Sequence, residues 1–452
     1  MDLLIRNGTI VDPVMGKFTA NIGIKGHKIN LVSDQETEAD EILEASGLMI
    51  TPGFIDIHMH ESEVKNDTAN REMFEYMAQM GVTTAIGGNC GLNTGLKNTA
   101  DYFNLLEKDG IPVNYAGYSG YCFIREHCGY DRNSPLDYPK LSKLTPLIKN
   151  DLDKGACGVS LGLEYNPGIS TEEMLWVGRL VKEYPGRLIS AHYRYDSNRS
   201  LEALAELIIL ARETGVPVQV SHIGSCNAFG RMTPALDMLD NAVWAGVDIS
   251  ADVYPYNAFS TMIGSAVFDD GCFESWGKSY NSLLVAEGKY RGLTCTEEIF
   301  HELRKQAPET LMVAFVMDET EVIEALKHPG IMIASDGFLR SGQGHPRGTG
   351  AFPRVIGKYV RDEKQLDLVE AIKKMTLLPA RRLELSHKGR IDQGYDADLV
   401  IFDFDNIIDQ SDYENPAVPP KGIEYVFVGG KAVVKNGSYI GGDNGRVIRF
   451  GK

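Results

Sequence analysis

Eight short apolar runs, separated by amphipathic stretches, constrain this chain more than any other feature of its sequence. They are GFIDIH (53–58), GVTTAIGG (81–88), IPVNYAGY (111–118), GVSLGL (158–163), LISAHY (188–193), VPVQVSHI (216–223), VDISADVY (247–254) and IMIASD (331–336). Runs this short, with little polar alternation, read as strands of a parallel sheet covered by helices. Eight of them alternating with helices predict an α/β fold, a (β/α)8 TIM-type barrel over residues 51–383. LMVAFVM (311–317) is a ninth candidate and leaves the count uneven. Residues of about 258–310 show little strand pattern and read as an insertion before the last strand, the kind that serves as a lid.

The two ends have a different texture. LLIRNGTIVD carries Asn7-Gly8, a hairpin dipeptide. NIGIKGHKINLVS alternates apolar and polar residues, as a half-buried strand does. ADLVIFDFD and IEYVFVGGKAVVKNG read similarly. Residues 1–50 and 384–452 are therefore expected to form one discontinuous small β-sandwich domain.

Charge and composition narrow the partners. Against 62 Asp+Glu the chain has 45 Lys+Arg, a net charge of −17, which argues against a nucleic-acid partner. No apolar run of about 18 residues predicts a membrane span, and the start does not read as a signal peptide. The seven cysteines are odd in number and contain no Cys-x-x-Cys, so a disulfide framework is not expected. The expectation is a cytoplasmic protein with a small-molecule substrate; a homo-oligomer stays open.

The ends of the runs carry the chemistry. The first closes in Asp56-Ile57-His58-Met59-His60, and alternation puts His58 and His60 on one face. The fifth ends in His192, the sixth in His222 and the last in Asp336. A barrel brings all these ends to one rim, and a shared metal explains them together. Nitrogen and oxygen donors suit Zn2+. Asp56 is expected to orient His58 through its second ring nitrogen. Glu61-Ser62-Glu63 reads as loop-stabilising or solvated, and Met73, Met77 and Met80 as core.

Pro52-Gly53-Phe54-Ile55-Asp56-Ile57-His58-Met59-His60, His192, His222, Asp336 and the segment from Thr376 to Leu399 together resemble the amidohydrolase superfamily. Gly81-Val82-Thr83-Thr84 leading to Gly88-Asn89-Cys90-Gly91, Gly162-Leu163-Glu164-Tyr165-Asn166-Pro167-Gly168 and His345-Pro346-Arg347 resemble its N-acyl-D-amino-acid deacylase (D-aminoacylase) family. The resemblance implies Zn2+, one or two ions per chain, with Cys90 as a ligand beside His58, His60, His192, His222 and Asp336. It implies Asp336 as the general base and acid. Many superfamily members place a carboxylated lysine at the end of the fourth strand; here Glu164 is the nearest acid, and either it or Cys90 is open to the bridging role.

Arg347 matches the family's His-Pro-Arg and suits a substrate carboxylate, since a guanidinium pairs with it bidentately. Arg194 is the second choice. Tyr165 and Tyr256 are candidates to donate phenolic hydrogen bonds to substrate. Two residues after His222 stands Gly224, where D-aminoacylases commonly carry Lys, so acidic D-side chains lose an expected cation. Hydrolysis of N-acyl-D-amino acids, or of dipeptides with a C-terminal D-residue, is the first reading. A cyclic-amide hydrolase of the hydantoinase, dihydropyrimidinase or dihydroorotase kind is the second. A metal-free structural relative is the third.

Overall fold

The computed structural model describes residues 1–451 apart from Glu36 and Lys97. The chain folds as a mixed α/β protein. All eight sequence runs become parallel strands, paired in chain order: Phe54–Asp56, Val82–Gly87, Asn114–Gly117 with Ser119–Gly120, Gly158–Gly162, Leu188–His192, Val218–Val220, Ile249–Val253 and Ile331–Ile333. The third is interrupted at Tyr118. The first and last strands meet beyond their ends, where Met59 bridges Gly337 and the Asp336 N–H donates to the His58 carbonyl at 2.8 Å. Nearly every strand residue is buried, as expected of a sheet with helices on one side and packed side chains on the other. Met73, Met77 and Met80 lie in that core.

The ninth run belongs elsewhere. Leu311–Ala314 pairs antiparallel with both Phe259–Met262 and Leu283–Val285, so the insertion carries its own three-stranded sheet. The run at Leu311–Ala314 is legible as a strand, while its partners, set in loops and 3-10 turns without an apolar run of comparable length, are not.

The terminal segments share one sheet, and the N-terminal segment forms a second by itself. Leu3–Arg6 lies in a four-stranded sheet, while Thr9–Asp12 joins a seven-stranded sheet that also holds Met49–Pro52, Leu399–Phe402, Ile423–Val428 and Lys431–Lys435. Ile5, Ile10, Ile22, Ile50, Leu399 and Ile401 form one apolar core between them. Asn7-Gly8 is therefore not a hairpin turn: its two flanking strands never pair, and the chain crosses there between sheets. Asn7 takes a left-handed backbone (φ 63°). A Cβ on Gly8 would meet Ile50 Cδ1 at 2.4 Å, so glycine is needed for the close crossing. Residues 445–450 leave these sheets and run along the third parallel strand, with Tyr115 N–H donating to Arg446 and Ile448 N–H donating to Tyr115.

Candidate metal centre

The parallel strands end at one rim, and five of the residues singled out from the sequence converge there. His58 and His60 leave the first strand on one face, their ring centroids 5.4 Å apart. Cys90, His222 and Asp336 follow the second, sixth and eighth strands, and all three have left-handed backbones (φ 56°, 33° and 47°). For a residue with a Cβ this conformation costs roughly 1–3 kcal/mol each, and it persists where the surroundings over-determine it. Here it turns the chain sharply away while the side chain stays at the rim. The Cys90 turn is pinned on both sides by Ser160, which accepts from Gly91 N–H at 3.0 Å and donates to the Gly88 carbonyl. Asn89 is held by Ser190 at 2.8 Å.

The donor atoms form two overlapping groups. Cys90 Sγ lies 3.4 Å from His58 Nε2 and 3.7 Å from His222 Nε2. His58 Nε2 and His60 Nε2 lie 3.4 and 3.1 Å from Asp336 Oδ1. Within each group, His58–Cys90–His222 and His58–His60–Asp336, the ligand atoms all fall within 4.8 Å. His192 stands beside them, its ring 4.5 Å from that of His222, and its Nε2 is 2.9 Å from Glu164 Oε2. Glu164 thus joins the cluster through His192.

The electrostatics agree with a cation site. Burial alone would raise the Cys90 thiol, but His58, His192 and His222 pull it well below its ordinary value. Burial would lower His60 and His192; Asp336 and Cys90 for the first, and Cys90 and Glu164 for the second, push both up to about 9. A buried thiolate and carboxylate among four imidazoles is a set of borderline-soft donors that fits Zn2+.

Asp56 does not orient His58 through its ring. Its carboxylate accepts from Ser335 N–H at 3.0 Å, from the Ser335 hydroxyl and from His58 N–H at 3.2 Å, tying the first strand to the last. Burial raises this carboxyl to about 7. The ring nitrogen His58 Nδ1 faces Asp252 Oδ1 instead, at 3.3 Å. Asp252 was not among the sequence candidates. Its only signal is an acid inside the apolar run VDISADVY. Ser225 Oγ lies 2.7 Å from His222 Nδ1.

A cavity of about 420 Å³ opens from His60, Asp336 and Tyr165 toward Ser260, Met262 and Phe338. Arg347 lines it. Its guanidinium pairs with Asp336 Oδ2 at 2.8 Å, lies over the Tyr254 ring at 4.6 Å and donates to the Ser260 carbonyl at 3.2 Å. Tyr165 packs on His192 at 4.6 Å, its hydroxyl 3.4 Å from Thr261. Two other sequence candidates are not brought here. Tyr256 is buried behind His345, bonded to Asp409 at 3.2 Å. Arg194 is taken by Glu206, with bonds of 2.8 and 3.0 Å. Ser260, unmarked by any motif, lines the cavity, and Tyr254 lies buried beneath Arg347. Two cations reach the outer wall despite Gly224: Arg340, paired with Glu287 at 2.7 Å, and Arg132, bonded to the Gly264 carbonyl at 3.4 Å. Glu61 is a loop tie, accepting from Gly88 N–H at 3.1 Å and from Tyr115.

Comparison with known proteins agrees with this geometry. Two models of the amidohydrolase family match residues 49–232 and 284–434. A D-aminoacylase from Alcaligenes xylosoxydans xylosoxydans is 30% identical over 99% of this chain and 97% of its own length. A D-aminoacylase structure, described by its binuclear metal centre with one-metal activation and second-metal attenuation, superposes with a TM-score of 0.89 at 30% identity and 99% coverage of both chains. An N-acyl-D-glutamate deacylase from Bordetella bronchiseptica, solved with zinc and a phosphonate mimic of the tetrahedral intermediate, gives 0.87 at 26% identity, again over 99% of each. The chain belongs to the amidohydrolase superfamily, within its D-aminoacylase family.

Proposed function

We propose that the chain is a zinc-dependent hydrolase of the linear amide bond of N-acyl-D-amino acids, including dipeptides with a C-terminal D-residue. The observation that carries this is the pair of donor groups sharing His58 at the head of a cavity that also presents Arg347. His58, Cys90, His192 and His222 would hold one ion, and His60 and Asp336 offer a second position. Glu164, 2.9 Å from the same nitrogen of His192, stays within reach. Bound zinc supplies Lewis acidity toward the amide carbonyl and lowers the pKa of water.

The protein's own groups do the rest. Arg347 takes the substrate carboxylate, exchanging its present partner Asp336 for the ligand. Asp336, so released, holds a proton at a carboxylate oxygen between water and the leaving nitrogen. Tyr165 and Ser260 on the cavity wall contact the acyl and side-chain ends, and Tyr254 backs Arg347. The relatives at 30% identity are named D-aminoacylase and N-acyl-D-glutamate deacylase, and the fourth strand ends in Gly162-Leu163-Glu164-Tyr165 without a lysine. Both favour this reading over a cyclic-amide hydrolase.

The eight paired strands are read as a closed barrel over residues 51–383, with 1–50 and 384–452 as one sandwich domain. The Met59–Gly337 bridge and the shared isoleucine core support that division. Seven free cysteines suit a reducing, cytoplasmic compartment. The test is a panel of N-acetyl-D- and L-amino acids, apolar and acidic, beside hydantoin and dihydroorotate. Turnover of D-compounds is expected; turnover of the rings alone would overturn the proposal. N-acetyl-D-glutamate belongs in the panel, because Arg132 and Arg340 restore cations that Gly224 withholds.

A further inference from the structure

We infer that Asp252 is a positioning residue that holds two of the zinc ligands at once; the inference rests on the zinc reading above. Its carboxylate is buried (1% exposed) and faces three donors. Oδ1 accepts from His222 N–H at 2.8 Å and lies 3.3 Å from His58 Nδ1. Oδ2 accepts from Gln219 Nε2 at 2.8 Å. His58 Nδ1 is buried and makes no hydrogen bond of good geometry among the described residues, and the carboxylate facing it at 3.3 Å is that of Asp252.

The consequences follow from where these bonds end. A histidine that gives Nε2 to a metal carries its proton on Nδ1, and a carboxylate facing Nδ1 fixes that tautomer and the ring's direction. The same oxygen secures the backbone of His222 in its left-handed turn, which aims the imidazole back toward Cys90. One carboxylate therefore sets the spacing of two nitrogens around one thiolate. Of the other buried acids of this rim, Asp336 faces the Nε2 side of His58, and Asp56 is consumed by Ser335 and the first strand's backbone, so neither offers a substitute.

Asp252→Asn isolates the effect. Its Oδ1 still accepts from His222 N–H and still faces His58 Nδ1, and its amide donates to Gln219 Oε1, which now has no partner, once Gln219 flips. Shape and hydrogen bonds are kept while the charge is lost. Zinc affinity is measured by competition with a chromophoric chelator, beside the melting temperature of the metal-free protein and kcat and KM on N-acetyl-D-amino acids. The variant is expected to melt as the wild type does without metal and to bind zinc roughly 10–100-fold more weakly. Its kcat should fall at a KM changed by less than about twofold. Gln219→Leu, which frees Oδ2, is expected to weaken zinc to a smaller extent, and it decides the matter if Asp252→Asn does not fold. Zinc binding within about twofold of the wild type in the folded variant would overturn the inference alone. A wild type that binds no zinc would overturn the zinc reading and this inference together.

Discussion

The two ends of the cavity are built by different rules. At the inner end the donors stand at or just past parallel strands, all but the half-buried His60 are buried, and several are held from behind: Ser160 and Ser190 behind the Cys90 turn, Asp252 behind His58 and His222, and Arg347 on Asp336. At the outer end the wall comes from the insertion and from loops, and Met262, Phe338 and Arg132 are only half-buried. Strands hold the donors rigidly where the chemistry needs fixed geometry. Loops carry the surface that meets the variable part of a substrate. Changes at the inner end should therefore abolish turnover, and changes at the outer end should redistribute it among substrates.

The largest effect is expected for Asp336→Asn. It removes a proton carrier and should lower kcat by about 10²–10⁴-fold with zinc largely retained, measured by turnover and metal content together. Arg347→Ala comes next. Losing a charged bidentate contact of about 1.5–3 kcal/mol should raise KM for carboxylate substrates roughly 10–150-fold, and a C-terminal amide analogue should hardly notice. Phe338→Ala, at the outer wall, should shift the ratio of kcat/KM between large and small side chains by about 10-fold, with the best substrate's kcat kept. The smallest effect is expected for Tyr256→Phe, whose hydroxyl serves Asp409: kinetics within about twofold and a melting temperature lowered by the loss of about one hydrogen bond. A large change of preference at the inner end, or a large loss of turnover at the outer end, would break the comparison.

The sequence made the inner end readable because its donors are local. A histidine or aspartate at the end of an apolar run needs only strand alternation to be placed at the rim, so His58, His60, His192, His222 and Asp336 could be named ahead of the structure. What it hid depends on partners far along the chain. Asp252 serves His58 from the seventh strand, next but one to the first around the rim, and no local pattern links them. Arg194 follows His192 by two residues and looked like a clamp, yet Glu206, one helix away, captures it. In DVYPYN two tyrosines compete for one role; Tyr254 comes under Arg347, while Tyr256, beyond Pro255, turns to Asp409. The fold shows the same divide: the eight apolar runs of the parallel strands were legible, while the antiparallel partners of Leu311–Ala314 and the crossing at Asn7-Gly8 were set by contacts between distant segments.

The most direct test is the metal content of the protein purified without chelator or added metal, beside Cys90→Ala and His222→Ala. The account predicts one or two zinc ions per wild-type chain and their loss from both variants, with the metal-free proteins still folded. A folded wild type without metal, unable to take up zinc when it is added, would contradict it.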